Sequence, residues 1–278
     1  MKFIEFAKFT IQKSFENYVN LRWMRRTYLK RKRHKLPNDL IISVTSFPAR
    51  YPTLPLTLKC LLTQSVQPDR VILWLSEKEA SELTREILEL RQDGLEIKIC
   101  DDHRSYKKII PALNEYPDAF LVTADDDCYY WATWLDGLTS EFDSSKKEVL
   151  CHRAHEIVVG TDGYPLPYSN WRHNVKAGSA SSLLFPTGVG GVLYRPGIFD
   201  QLVKNSELYL RLAPRADDAW LYFMASLNGA KFRKVGPRRT IVPWPQTQMV
   251  GLRTTNLGPN GENDVQIQNL ISKFGFFL

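Results

Sequence analysis

The chain has 278 residues, 44% hydrophobic and 12% aromatic, which suits one large α/β domain or two small ones. No stretch approaches the roughly 18 uninterrupted apolar residues of a membrane span. The net charge of +7 is concentrated in residues 1–36, which hold eleven Lys/Arg against two Glu, whereas the remainder holds 26 basic and 28 acidic residues. That asymmetry argues against nucleic-acid binding as the business of the main body.

The first residues, Met1–Lys8, are interrupted by charge too early for the apolar region of a secretory signal. At 100° per residue, Phe3, Ile4, Ala7, Ile11, Phe15, Tyr18 and Leu21 share one helical face, with Phe6, Phe9 and Val19 off it. The run Lys30-Arg31-Lys32-Arg33-His34-Lys35 follows. Such a helix with a basic tail reads as an anchor for an anionic membrane surface. The alternative is a helix packed on its own domain or on a partner. Pro37-Asn38-Asp39 is a turn, so the expected division is an extension over 1–36 and a domain over 37–278.

Leu40–Thr45 is the first expected strand, followed by the loop Ser46-Phe47-Pro48-Ala49-Arg50. Helical spacing covers Leu54–Gln64, a strand Arg70–Leu75, a charged helix about Ser76–Arg91, and a strand Leu95–Cys100. Tyr106–Leu113 reads as helix and Ala119–Thr123 as a buried strand. Strands alternating with helices imply parallel βαβ units in a doubly wound sheet, whose ligand lies beyond the C-terminal strand ends. Those ends supply Thr45–Arg50, Asp101-Asp102 and Asp125-Asp126-Asp127.

The second half is less regular. Trp131–Ser140 reads as helix, Val149–Ala154 as strand and Gly160–Trp171 as a long loop. Gly188–Tyr194 mixes glycines with strand formers, a pattern for backbone close to a ligand. Asp217-Asp218 opens an apolar helix to Leu227, with Phe232–Val235 and Thr240–Val242 as short strands. Asn263-Asp264 begins a last helix, and the apolar tail Phe274–Leu278 offers an interface or membrane contact. Cys60, Cys100, Cys128 and Cys151 are scattered, which reads as reduced thiols of a cytosolic protein.

Three adjacent carboxylates after an apolar strand need a cation or a very polar setting. Mg²⁺ and Mn²⁺ are hard ions that take oxygen ligands and share them with substrate phosphate. A solvated acidic turn is the structural alternative.

Five motifs carry a resemblance: Val44–Arg50, Asp102 with Ser105-Tyr106-Lys107-Lys108, Thr123–Asp127, Gly188–Tyr194 and Ala216-Asp217-Asp218-Ala219-Trp220. In this order the chain resembles metal-dependent glycosyltransferases of the GT-A fold, similar to the bacterial family-2-like enzymes of capsule and lipopolysaccharide assembly. The resemblance spans Leu40 to about Leu270 and implies a mostly parallel α/β sheet flanked by helices. It implies a nucleotide-sugar donor, a UDP-sugar being favoured, and a glycan or lipid-linked glycan acceptor. Mn²⁺ or Mg²⁺ would be held by Asp127, with Asp125 nearer the ribose or the metal and Asp126 beside them. Thr45, Ser46, Phe47, Arg50 and Asp102 would surround nucleobase and ribose, with Lys107 or Lys108 on phosphate. Gly190 and Gly191 would lie in the floor beneath donor sugar and acceptor. Asp218 aligns with the base of inverting members and Asp217 with its neighbour, although the family pattern is more often Glu-Asp.

A core or loop role is expected for His152, His155 and His173, and for Trp171, Trp220 and Trp244 the core competes with sugar stacking. A cytoplasmic protein at the inner membrane face follows from the extension and the acceptor class. Two other readings remain: a sugar nucleotidyltransferase, for which the usual Gly-rich phosphate loop is missing after the first strand, and a membrane-bound scaffold with a structural cation.

Overall fold

The structure, a computed structural model, describes residues 2–245 and 262–276, with side chains from Thr10 onward. The strands are β1 (Lys32–Arg33), β2 (Leu40–Thr45), β3 (Val66–Gln67), β4 (Arg70–Leu75), β5 (Leu95–Ile99) and β6 (Phe120–Ala124). They continue with β7 (Glu148–Cys151), β8 (Ala154–Glu156), β9 (Leu184–Pro186), β10 (Val192–Tyr194) and β11 (Lys231–Lys234). Seven form the central sheet in the order β11-β7-β10-β6-β2-β4-β5. β2, β4, β5 and β6 are parallel, β11 is parallel to β7, and β10 alone runs against both of its neighbours. The chain is thus α/β with a mostly parallel sheet flanked by helices, as expected.

Period-2 alternation explains why both faces are covered. Ile41, Ile72, Trp74 and Leu121 point into one core, with Trp220, Phe223 and Leu270. Leu40, Ile42, Val44, Leu73, Phe120 and Val122 point into the other, with Leu58, Leu61 and Trp134. The helices over these faces are α2 (Leu54–Leu62), α5 (Ile110–Glu115), α6 (Trp134–Thr139), α8 (Asp217–Leu227) and the C-terminal helix Glu262–Phe274.

Several expected elements are shorter or divided. The charged helix after β4 is two pieces, α3 (Glu77–Ser81) and α4 (Arg85–Glu89), and a 3₁₀ turn Leu90–Asp93. Ser76 closes a reciprocal capping box with Glu79, which starts α3 firmly over few turns. Tyr106–Leu113 divides at Ile109 into a 3₁₀ turn Arg104–Lys108 and α5, whose first turn carries Pro111. Thr240–Val242 forms no strand; Pro243 makes only an isolated bridge to Cys128. Phe274 and Phe276 pack against the core, while Phe277 and Leu278 lie outside the described residues.

The extension begins with α1 (Lys2–Met24) and lies on the domain. Val19 is buried and Phe15 packs on Tyr129, whereas Ile11, Tyr18 and Leu21 are exposed. The expected apolar stripe is therefore split, and off-stripe Val19 makes the contact with the core. The side chains of Phe3, Ile4, Phe6, Ala7 and Phe9 lie outside the described residues.

Candidate active site

Four segments meet at the C-terminal edge of the sheet. β6 delivers Asp125, Asp126 and Asp127. β10 pairs antiparallel to β6 with Val192 opposite Thr123, so the turn Gly188–Gly191 arrives over the same edge. α8 opens with Asp217 and Asp218, and the turn Arg104–Lys108 adds two lysines.

Lys108 joins these segments. Its buried ammonium lies 2.9 Å from Asp125 Oδ1 and 2.9 Å from Asp217 Oδ2. Burial opposes its charge, but Asp125, Asp217 and Asp218 outweigh that and hold its pKa well above the usual lysine value. The Gly188 amide donates to Asp218 Oδ2 at 2.9 Å. Burial and the neighbouring Asp217 raise the Asp218 carboxyl to about 7, against the pull of Lys108. A Cβ at Gly188 would come within 2.8 Å of Asp218 Oδ1 and 3.1 Å of Lys108 Nζ. Glycine is what admits the carboxylate and the ammonium to this corner.

The rest of the triplet is fixed by the loop after β2. Ser46 donates to Asp126 Oδ2 at 2.5 Å, and burial beside Asp127 raises the Asp126 carboxyl to about 7. Buried Arg50 pairs with Asp127 Oδ2 at 2.8 Å, and its guanidinium lies 5.7 Å from the Phe47 ring centroid. Burial and Asp125 raise the Asp127 carboxyl despite Arg50. The Thr45 hydroxyl donates to the Trp74 carbonyl at 2.8 Å and is committed to the sheet.

Behind the triplet lies a clamp. Trp244 N–H donates to the Asp127 carbonyl at 2.9 Å, and Tyr129 N–H to the Val242 carbonyl at 2.9 Å. The Thr57 hydroxyl reaches the carbonyls of Asp126 and Cys128 and accepts from Trp244 Nε1 at 2.7 Å.

Lys107 turns the other way, to the Glu79 carboxylate and to Asp102 Oδ1 at 3.0 Å. Glu79 and Asp102 border an open cleft of about 990 Å³, lined also by Pro48, Ser76, Ile99 and Asp101. Lys107 and Asp102 thus stand by this cleft, and Lys108 at the carboxylates. Gly190 and Gly191 face elsewhere. A Cβ at Gly190 would meet Arg153 at 2.6 Å, and one at Gly191, where φ is +89°, would meet the Trp134 ring at 2.3 Å. Gly188 is the glycine that faces the acidic groups.

No protein-family model matches the chain, and no curated protein matches it. Among solved structures it is similar to S. aureus TarS residues 1–349 in complex with UDP, at 17% identity and a TM-score of 0.45. That match covers 73% of this chain and 59% of TarS. It is also similar to 4-diphosphocytidyl-2C-methyl-D-erythritol synthase from Anaerococcus prevotii, at 14% identity and TM-score 0.43, covering 72% and 88% of the two chains. The inositol-1-phosphate CTP transferase from T. maritima follows at 10% identity and TM-score 0.38, with 71% and 85% covered.

Among the described residues no three His, Cys, Asp or Glu side chains converge as a metal cluster. Mg²⁺-type ions need no such cage, since one or two carboxylates and a substrate phosphate suffice. Asp127 and Asp125 offer hard oxygens of the kind such an ion takes, and each is already paired with a cation, Arg50 and Lys108, with which an ion would have to share it.

His152 is buried and donates Nε2–H to the Trp134 carbonyl at 2.8 Å, and burial pushes its pKa down to about 4. His155 is buried with its ring 4.2 Å from that of His173. Trp171, Trp220 and Trp244 are buried. Sequence reasoning missed Glu79, although its capping-box spacing from Ser76 was a usable signal. It also missed Thr57 and Tyr130, whose hydroxyl accepts from the Asp125 amide at 2.8 Å. Nothing local marks those two, because their partners lie in other elements or come from backbone.

Proposed function

We propose that the chain is a metal-dependent, inverting glycosyltransferase, moving a sugar from a nucleotide-diphosphate donor, with UDP-sugar favoured, to a hydroxyl of a glycan or lipid-linked glycan. The observation that carries this reading is the Lys108 bridge. It holds a carboxylate suited to the donor side, Asp125, against the helix-opening pair Asp217-Asp218. In this reading nucleobase and ribose occupy the cleft beside Asp102, where a carboxylate accepts N–H or O–H groups. Asp127 and Asp125 would hold a Mn²⁺ or Mg²⁺, which supplies charge stabilisation to the departing diphosphate. Asp218 takes the proton from the acceptor hydroxyl. The acceptor oxygen forms its bond to the anomeric carbon as the bond to the diphosphate oxygen breaks, so the configuration inverts. A carboxyl raised to about 7 is well matched to a base at neutral pH. Asp217, anchored by Lys108, keeps that base in place. Work on a lipid-linked acceptor places the enzyme at the cytoplasmic face of the cell membrane, in surface polysaccharide synthesis.

The test is release of nucleoside diphosphate from a panel of sugar nucleotides, with Mn²⁺ or EDTA, by wild type and Asp218→Asn. The proposal expects turnover with one donor, lost in EDTA and reduced at least a hundredfold in the variant. Pyrophosphate release from a nucleoside triphosphate and sugar-1-phosphate would instead make it a nucleotidyltransferase. Stabilisation by Ca²⁺ alone, with no response to any nucleotide, would make it a scaffold.

A further inference from the structure

Helix α1 and the turn after it use their charges in two ways. Arg22 donates to the Thr63 carbonyl, Arg26 to the Asp93 carboxylate and Arg31 to the Gln64 carbonyl at 3.0 Å, and β1 pairs with β3. These contacts fix the extension to the domain. Arg25, Lys30, Arg33 and Lys35 are exposed instead. So are Ile11, Tyr18, Leu21, Met24 and Tyr28, five of the eleven exposed large apolar side chains among the described residues. Arg25 directly follows exposed Met24 at the end of α1, with exposed Tyr28 beyond it, so apolar and basic groups adjoin on this exposed surface. A surface both apolar and cationic is complementary to an anionic bilayer, with the apolar groups in the headgroup boundary and the cations on lipid phosphates or carboxylates.

The inner side of the same helix contacts the segments that flank the acidic triplet. Phe15 packs on Tyr129 at 4.5 Å between ring centroids, and Tyr18, at the border between the inner and outer faces, lies 6.3 Å from the same ring. Gln12 Nε2 donates to the Pro243 carbonyl at 2.7 Å. Tyr129 and Pro243 are the two sides of the clamp that holds the Asp127 backbone. α1 therefore contacts both sides of the clamp, while among the described residues Ile11, Leu21 and Met24 on its other side stay exposed.

We propose that α1 is a membrane-reading surface whose engagement with anionic lipid tightens the clamp behind Asp125–Asp127. The consequence for donor binding rests on the glycosyltransferase reading, but the lipid contact and the clamp do not. A ligand that binds the ordered arrangement better shifts the population towards it. Here the bilayer would order Gln12, Phe15 and Tyr18, and through them the pairing of residues 127–129 with 242–244.

The experiment is flotation of the full chain with phosphatidylcholine vesicles, with and without phosphatidylserine, combined with amide hydrogen exchange. Wild type should float only with the anionic vesicles. Ile11→Glu/Leu21→Glu/Met24→Glu, all at exposed positions, should abolish flotation. Lys30→Gln/Arg33→Gln/Lys35→Gln should weaken partition about a hundredfold, since each basic residue near an anionic surface contributes about a factor of five. On anionic vesicles the amides of Tyr129 and Trp244 should exchange several-fold more slowly, and in Gln12→Ala they should not slow although flotation persists. Equal flotation with neutral lipid, or none, would overturn the surface. Flotation with unchanged exchange at those amides would overturn the coupling. A final arm adds UDP and Mn²⁺ in solution: failure to bind there speaks against the donor reading and leaves both lipid arms standing.

Discussion

Asp126 and Asp218 hold protons that an unfolded chain would release, because both carboxyls are raised to about 7 from an ordinary 3.8. The folded state binds more protons than the unfolded one between those values, so these groups erode stability as pH rises from about 4 to 7. Asp218→Asn removes that cost while its amide oxygen can still accept from Gly188. We expect the variant to melt a few degrees above wild type at pH 8, on the order of 1–2 kcal/mol, and level with it at pH 4, in thermal scans at the two pH values. Activity runs the opposite way. As a base Asp218 must be ionised, so turnover should rise with pH through about 7. Replacing Lys108 by Met removes the cation that favours the ionised form and should move this limb to higher pH. An unmoved limb would show that Lys108 does not set the state of Asp218.

At the scale of elements, neighbouring glycines of one turn serve different ends. Gly188→Ala would push into Asp218 and Lys108, the latter a flexible ammonium, so activity should fall tenfold or more with a small change in melting midpoint. Gly191→Ala would enter the Trp134 ring with φ at +89° and should cost several kcal/mol, read by urea denaturation. The glycine pattern was legible in the sequence as backbone close to something, but which glycine faces the acids depends on the antiparallel register of β10 against β6. The strands β2, β4, β5 and β6 were legible because runs of strand formers that begin just after Asp39, Asp69, Gly94 and Pro117-Asp118 are local signals. The clamp was not, since Thr57 and Trp244 are 187 positions apart and the helical pattern around Thr57 says nothing of a partner so distant. The inward side of α1 was legible only in part, for a similar reason. Helical periodicity predicts a stripe, but the contacts of Gln12, Phe15 and Val19 with distant segments decide which side turns inward.

At the scale of the whole molecule, the sheet order brings the ends of β2, β4, β5 and β6 to one edge, and antiparallel β10 returns a turn to it. The cleft beside β4 and β5 and the carboxylates beyond β6 therefore adjoin along that edge, linked by consecutive Lys107 and Lys108. In the proposed function a nucleoside occupies the first and a diphosphate sugar lies over the second, both beyond the C-terminal strand ends. The basic extension covers the side behind the triplet through Gln12 and Phe15, so the site and helix α1 form one unit. Among the described residues no helix is long and apolar enough to cross a membrane.

The most direct measurement is the melting midpoint against UDP, GDP, CMP and dTDP, each with and without Mn²⁺, for wild type, Asp127→Ala and Asp127→Asn. Ligands that bind only the folded state raise the midpoint by mass action. The account predicts a rise with one nucleoside diphosphate that needs Mn²⁺ and vanishes in both variants. No rise with any nucleotide, or an equal rise in the variants, would contradict it.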